Sequence, residues 1–161
     1  METPEPLPDE IEPLPLAPEP PRLAHATGAM WALGARLTWV SGLVLAISAF
    51  TDWYAGSGDG ITISVIGWHT GALGKLVFFI GLAILGLRGL REAGIELPAT
   101  VPESLLVIAL GSLATVFVLI RAISIPDQFL PASGRGIGLW ISLIAALATI
   151  VAGLLEAAEE L

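Results

Sequence analysis

The chain has no cysteine among its 161 residues. That excludes disulfides, thiolate metal sites, Fe–S clusters and palmitoylation, and it leaves the redox compartment open. Histidine is nearly as scarce. His25 and His69 are the only two, and they fall on opposite sides of the first apolar run, so a bis-histidine haem or histidine metal site within one chain is not expected. Charge is thin as well. Only 14% of residues are charged, against about 25% in a typical soluble domain. The seven cations are scattered, which gives no footprint for nucleic acid or for a polybasic lipid anchor. GxSxG, HExxH and P-loop motifs are missing, and Gly134-Arg-Gly-Ile-Gly138 enters a helix without the strand a dinucleotide fingerprint requires. No cofactor or metal is therefore expected.

What the chain has is apolar length. Hydrophobic residues make up 55% of it, and the mean hydropathy is +0.82. The expected fold is an all-α membrane protein: a four-transmembrane-helix bundle with a short β-hairpin in the first outer loop and a disordered N-terminal tail. The spans fall at about 33–53, 72–90, 103–125 and 137–155, with the hairpin loop at 52–71. The length allows one domain, 30–161, behind the tail at 1–29.

The tail carries six of the fifteen acids and is rich in proline, with Glu5-Pro6, Glu12-Pro13 and Glu19-Pro20 recurring every seven residues. Such a segment favours extended polyproline II over helix. Pro15-Leu-Ala-Pro18 has PxxP form, so the segment reads either as a docking arm or as a charge-repelling tail without a partner.

In the first span, Trp31 and Trp53 are 22 residues apart, about 33 Å along a helix, which places one indole in each interfacial belt. The second span has a short uncharged core, so Lys75 and Arg88 are expected to snorkel to opposite interfaces. Thr100-Val-Pro-Glu103 has capping-box spacing at the head of the third span, and Arg121 lies one turn inside its other end. Small residues mark the expected helix–helix contacts: Gly42 and Ala46, Gly111 and Thr115, and in the fourth span Gly138, Ser142, Ala146, Thr149 and Gly153. No carboxylate is placed deep in a span, and the terminal Glu156, Glu159 and Glu160 read as a solvated acidic face.

The polar interruption at 52–71 is the functional candidate. Asp59-Gly60 is a hairpin turn signal, and ITISVI after it suits a strand. Trp53, Tyr54, Trp68 and His69 gather here, either as interfacial anchors or as a recognition face. Asp52, Lys75, His69, Arg121, Asp127 and Arg135 are expected near the same interface, with Asp52–Arg121 the leading pair of a charged ring. The following segment, PDQFLPASGRG, reads as a short flexible loop. A count of Arg22, Arg36, Arg88 and Arg91 against Lys75, Arg121 and Arg135 favours cytoplasmic N- and C-termini in a multi-pass plasma-membrane protein.

At Thr51-Asp-Trp-Tyr54 with Gly67-Trp68, at LIRAISIPD and at GRGIGLWISL, the chain resembles small four-span integral membrane proteins of actinobacterial type over residues 30–155. The layout is also similar to that of claudin-like tetraspans, whose first outer loop forms strands. The chain departs from them in lacking the paired loop cysteines, so no pore or junction role is implied. Neither resemblance implies catalytic or ligand residues.

Three functions are compatible with these features. The first is a non-enzymatic accessory, assembly or binding component acting through its outer loop, with the bilayer and a membrane protein or a second copy as partners and no nucleic acid. The second is a homo-oligomeric channel or small transporter with a basic outer mouth, although no span carries a stripe suited to line a pore. The third is a membrane-embedded enzyme acting on lipid, with His69 and Asp52 as its acid–base groups.

Overall fold

The computed structural model describes the backbone of residues 21–58, 61–95, 102–124 and 134–160, and side chains within 32–56, 63–95, 102–124 and 134–158. In chain order these form α1 (Pro21–Ser48), β1 (Asp52–Gly58), β2 (Ile61–Ile66), a 3-10 turn (Gly67–His69), α2 (Ala72–Glu92), α3 (Glu103–Ile123), β3 (Gly134–Arg135) and α4 (Ile137–Glu160). Three helices are long and apolar enough to cross a membrane: Ala72–Glu92, Glu103–Ile123 and the Ile137–Ala158 part of α4. The apolar part of α1 with described side chains, Ala32–Ser48, is shorter.

Helix α1 begins at Pro21, inside the segment expected to be a proline-rich tail. Proline is tolerated in a first turn, where its missing N–H would have no partner anyway, and no further proline follows until Pro98. The expectation for residues 1–20 lies outside the described residues. At its other end α1 stops at Ser48, before the expected limit. Phe50 N and Thr51 N bond back to Ile47 O and Ser48 O, tightening the last turn, and the chain leaves as a strand.

The residue pairs that meet run in opposite order along successive helices, so α1–α2, α2–α3 and α3–α4 are antiparallel, and α4 closes back antiparallel on α1. Glycines set the closest approaches. A Cβ on Gly81 would lie 2.7 Å from Ala46 N and 2.9 Å from Gly42 O, so α1 and α2 meet backbone to backbone. Gly111 faces Thr149 and Ile150, and Gly153 faces Ser104 and Ile108, which seats α3 on α4. Gly138 packs on Thr51 and Asp52. Ala146 is fully buried, while Thr115 is half-buried and bonds only its own helix, to Gly111 O at 2.8 Å. The core of Leu45, Val77, Ile84, Val118, Leu139 and Ala146 lies among the helices.

At one end a three-stranded sheet of order β2-β1-β3 covers the helices. The hairpin expected at 52–71 is present, with Ala55 opposite Ser64 and Gly56 opposite Ile63. The third strand was not expected. Gly134 and Arg135 pair with Ala55 and Tyr54, and Gly136 N bonds Trp53 O at 2.7 Å, so the end of the supposed flexible loop is a sheet edge. A two-residue strand without β-branched side chains leaves no sequence signal.

Candidate functional site

The sheet is fixed to the helix ends by two aromatic side chains. Trp53 and Tyr54 are both fully buried. The Trp53 indole N–H donates to Ser48 O at 2.9 Å, taking up a carbonyl that the end of α1 leaves over. Its ring fits because residue 67 is glycine; a Cβ there would sit 2.6 Å from the indole nitrogen. The Tyr54 hydroxyl donates to Arg121 O at 2.9 Å, reaching across to the last turn of α3. Burial raises the phenol above its ordinary value of 10.0, with Arg121 and then Arg135 pulling the other way. Neither residue is available as a recognition face, and Trp53 is not an interfacial anchor at a helix end.

Of the four aromatic candidates, Trp68 and His69 reach the surface. Trp68 is half-buried, stacked on Phe50 at 5.5 Å and meeting Phe78 edge-on at 5.5 Å. The Lys75 ammonium lies 5.6 Å from its ring centre. His69 is exposed. The expected charged ring does not assemble. Arg121 donates to Thr70 O and Arg135 to Ala122 O, so both guanidinium groups satisfy backbone carbonyls. Ala122 O belongs to the last turn of α3, where the carbonyls have no partner in the helix and attract a cation. Among the described residues no carboxylate, Asp52 included, forms an ion pair with Lys75, Arg121 or Arg135. Asp127 lies outside the described residues.

The outer edge of the sheet is β2. It pairs with β1 on one side and, among the described residues, with nothing on the other. Ile63 and Ser64 are exposed along it, and Ile63 is 38% accessible.

The opposite end of the helices holds a constellation that sequence reasoning missed. Arg88, Glu103 and Glu156 come from α2, α3 and α4, and each is at least nine-tenths buried. Arg88 Nη1 lies 3.4 Å from Glu103 Oε1 and 3.3 Å from Glu156 Oε1. Thr38 of α1 donates to Glu156 Oε1 at 2.8 Å, and Arg91 holds Glu103 Oε2 at 3.0 Å. Two positive and two negative groups join α2, α3 and α4, and the Thr38 hydroxyl brings in α1. Arg88 therefore does not snorkel, Glu156 is not part of a solvated face, and a carboxylate does lie within an apolar helix. Glu103 serves this cluster; the expected capping box involves Thr100, which lies outside the described residues. Arg88 Nε and Glu156 Oε2 are buried with no hydrogen-bond partner among the described residues. At the rim, the Trp39 indole donates to Glu92 at 2.7 Å.

Between the two ends runs a polar seam along α1 and α4. Ser142 bonds Ser48 at 2.8 Å, Thr149 bonds Ser41 at 3.0 Å, and Glu156 accepts from Thr38. Ser142, Thr149 and Glu156 are seven residues apart, so they stack on one face. The spacing is a signal the sequence offered. Each member is tied across the interface, which is the chemistry of a packed helix contact and not of a pore lining.

No known protein family, no curated protein and no solved structure matches the chain.

Proposed function

We propose that the chain is a non-enzymatic integral membrane protein that serves as a binding or assembly component, with the sheet outside the bilayer and both termini in the cytoplasm. In this reading α1 is the fourth span. Helix α1 includes Gly28-Ala-Met-Trp31, which continues the apolar stretch back from Ala32 to about the 20 residues a crossing needs. The partner is an extended segment of a larger membrane protein, added to the sheet along β2. The observation that carries this reading is the edge of β2, unpaired among the described residues, on a sheet that Trp53 and Tyr54 anchor to the helices. An unpaired edge presents a row of backbone donors and acceptors, and a rigid base keeps the entropy cost of docking low.

The absence of native cysteine gives a clean test. A Ser64→Cys variant carrying a photo-crosslinker is expected to label from outside intact cells and to give one adduct. Adding Ile63→Lys, a charge on the edge, should remove that adduct while leaving the fold intact. Complex formation should also slow amide exchange along 61–66. An adduct that persists with Ile63→Lys, or amides that exchange equally fast with and without the partner, would refute edge docking.

A further inference from the structure

A groove of about 230 Å³ lies between α1 and α4, lined by Leu37, Val40 and Val44 on one side and Ile141, Ile144 and Ala148 on the other. It is larger than the roughly 150 Å³ apolar cavity that suffices for benzene. Its outer rim is accessible, with Val40 58% and Ile144 67% exposed. On α1 it extends over about 10 Å, from Leu37 to Val44. Behind it the polar seam is internally satisfied, because Ser41 and Thr149 bond each other. The groove therefore offers an occupant no free polar partner along its length.

A cation stands at one end. Arg36 is exposed and lies one turn before Val40, so it extends the same rim. It makes no ion pair or hydrogen bond among the described residues. Its depth is fixed by its neighbours. Gly34 packs on the Glu156 side chain and Thr38 bonds the Glu156 carboxylate, so Arg36 is level with the layer of charged side chains at this end, about two turns inside Gly28, and its long side chain reaches from there toward the headgroups. An apolar trough ending in an unpaired guanidinium at that level matches an acyl chain joined to an anionic headgroup.

We infer that the α1–α4 groove is a binding site for one anionic phospholipid, its acyl chain against Val40, Val44, Ile144 and Ala148 and its phosphate on Arg36. The inference rests on α1 being a span of the bilayer. A guanidinium attracts phosphate through paired N–H donors, and apolar walls hold the chain without directional contacts. The sheet end contributes nothing to this site, so lipid binding is independent of docking at β2.

The test is reconstitution into vesicles of equimolar phosphatidylglycerol and phosphatidylcholine, extraction in mild detergent, and native mass spectrometry. Wild type is expected to retain one lipid, predominantly phosphatidylglycerol. Arg36→Gln should retain lipid but lower the preference for phosphatidylglycerol about fivefold. Ala148→Phe, which fills the floor of the groove, should lose the lipid, whereas Val116→Phe on the exposed face of α3 should keep it. Arg36 is a surface residue, so its variant reports even where Ala148→Phe fails to fold. Lipid-free wild type, equal retention by both phenylalanine variants, unchanged selectivity in Arg36→Gln, or a lipid-free dimer seated through this face would overturn the inference. Resistance to alkaline carbonate separates the two readings. Protein that stays in the membrane without bound lipid refutes only the lipid site, whereas protein released by carbonate refutes the spans as well.

Discussion

Replacing Arg88 with methionine should be the most damaging single change at the charged end of the helices. At 3.3 and 3.4 Å from two carboxylates, the guanidinium gains on the order of 5 kcal/mol of gross attraction from each at an effective dielectric of about 20. Burial of the three groups offsets much of that gain, so the intact cluster adds little net stability. The asymmetry appears when one member is removed. Arg88→Met leaves Glu103 with Arg91, but Glu156 keeps only the Thr38 hydroxyl while staying buried. The expected cost is about 3–5 kcal/mol. Adding Glu156→Gln removes the stranded charge, and the amide oxygen still accepts from Thr38. The double variant should therefore recover at least about 2 kcal/mol relative to Arg88→Met. Reversible SDS unfolding in lipid–detergent micelles, followed by far-UV circular dichroism, measures all corners of this cycle. A cost below about 1 kcal/mol for Arg88→Met, or a double variant less stable than that single one, would refute the reasoning.

Two further predictions concern packing and pH. Gly81→Ile should cost about 1–3 kcal/mol, because its Cβ meets only α1 backbone, whereas Gly86→Ala has nothing within 4 Å and should gain up to about 1 kcal/mol of helix propensity; the same unfolding assay ranks the pair. Tyr54 is raised by burial in the folded protein and titrates near 10 when unfolded, so it contributes stability that is whole below about pH 10 and falls as pH rises from there through the folded value. Tyr54→Phe should cost about 1 kcal/mol at neutral pH, through the lost bond to Arg121 O, and should flatten that alkaline decline. Amide exchange of the sheet between pH 9 and 11 would show the opposite if the reasoning fails, with an equal decline in both proteins.

The helices were legible because apolar runs of that length have few other solutions, and the hairpin because Asp59-Gly60 is followed by β-branched alternation. The roles of side chains were harder to read. Trp53 looks like an interfacial anchor from its spacing to Trp31, but spacing along a helix means nothing once the helix has ended at Ser48. Arg88 and Glu156 each lie close to a helix end, where sequence alone suggests water, and only the tertiary arrangement brings them together with Glu103. The charges near the sheet failed to pair for a related reason. Backbone carbonyls at Thr70 and Ala122 were nearer than any described carboxylate, and carbonyls are invisible to a count of acids and bases.

Strand β1 sits at the centre of its sheet, yet its two neighbours are synthesised far apart in time. β2 follows it almost at once, so the hairpin can close while the ribosome is still making α2. β3 emerges only after α3 has been completed, and until then one edge of β1 near Tyr54 and Ala55 stands open. The arrival of Arg135 thus closes the nascent chain as well as the sheet. A chain stalled before that residue, or one with α3 inserted the wrong way round, would display an unfinished strand on its surface.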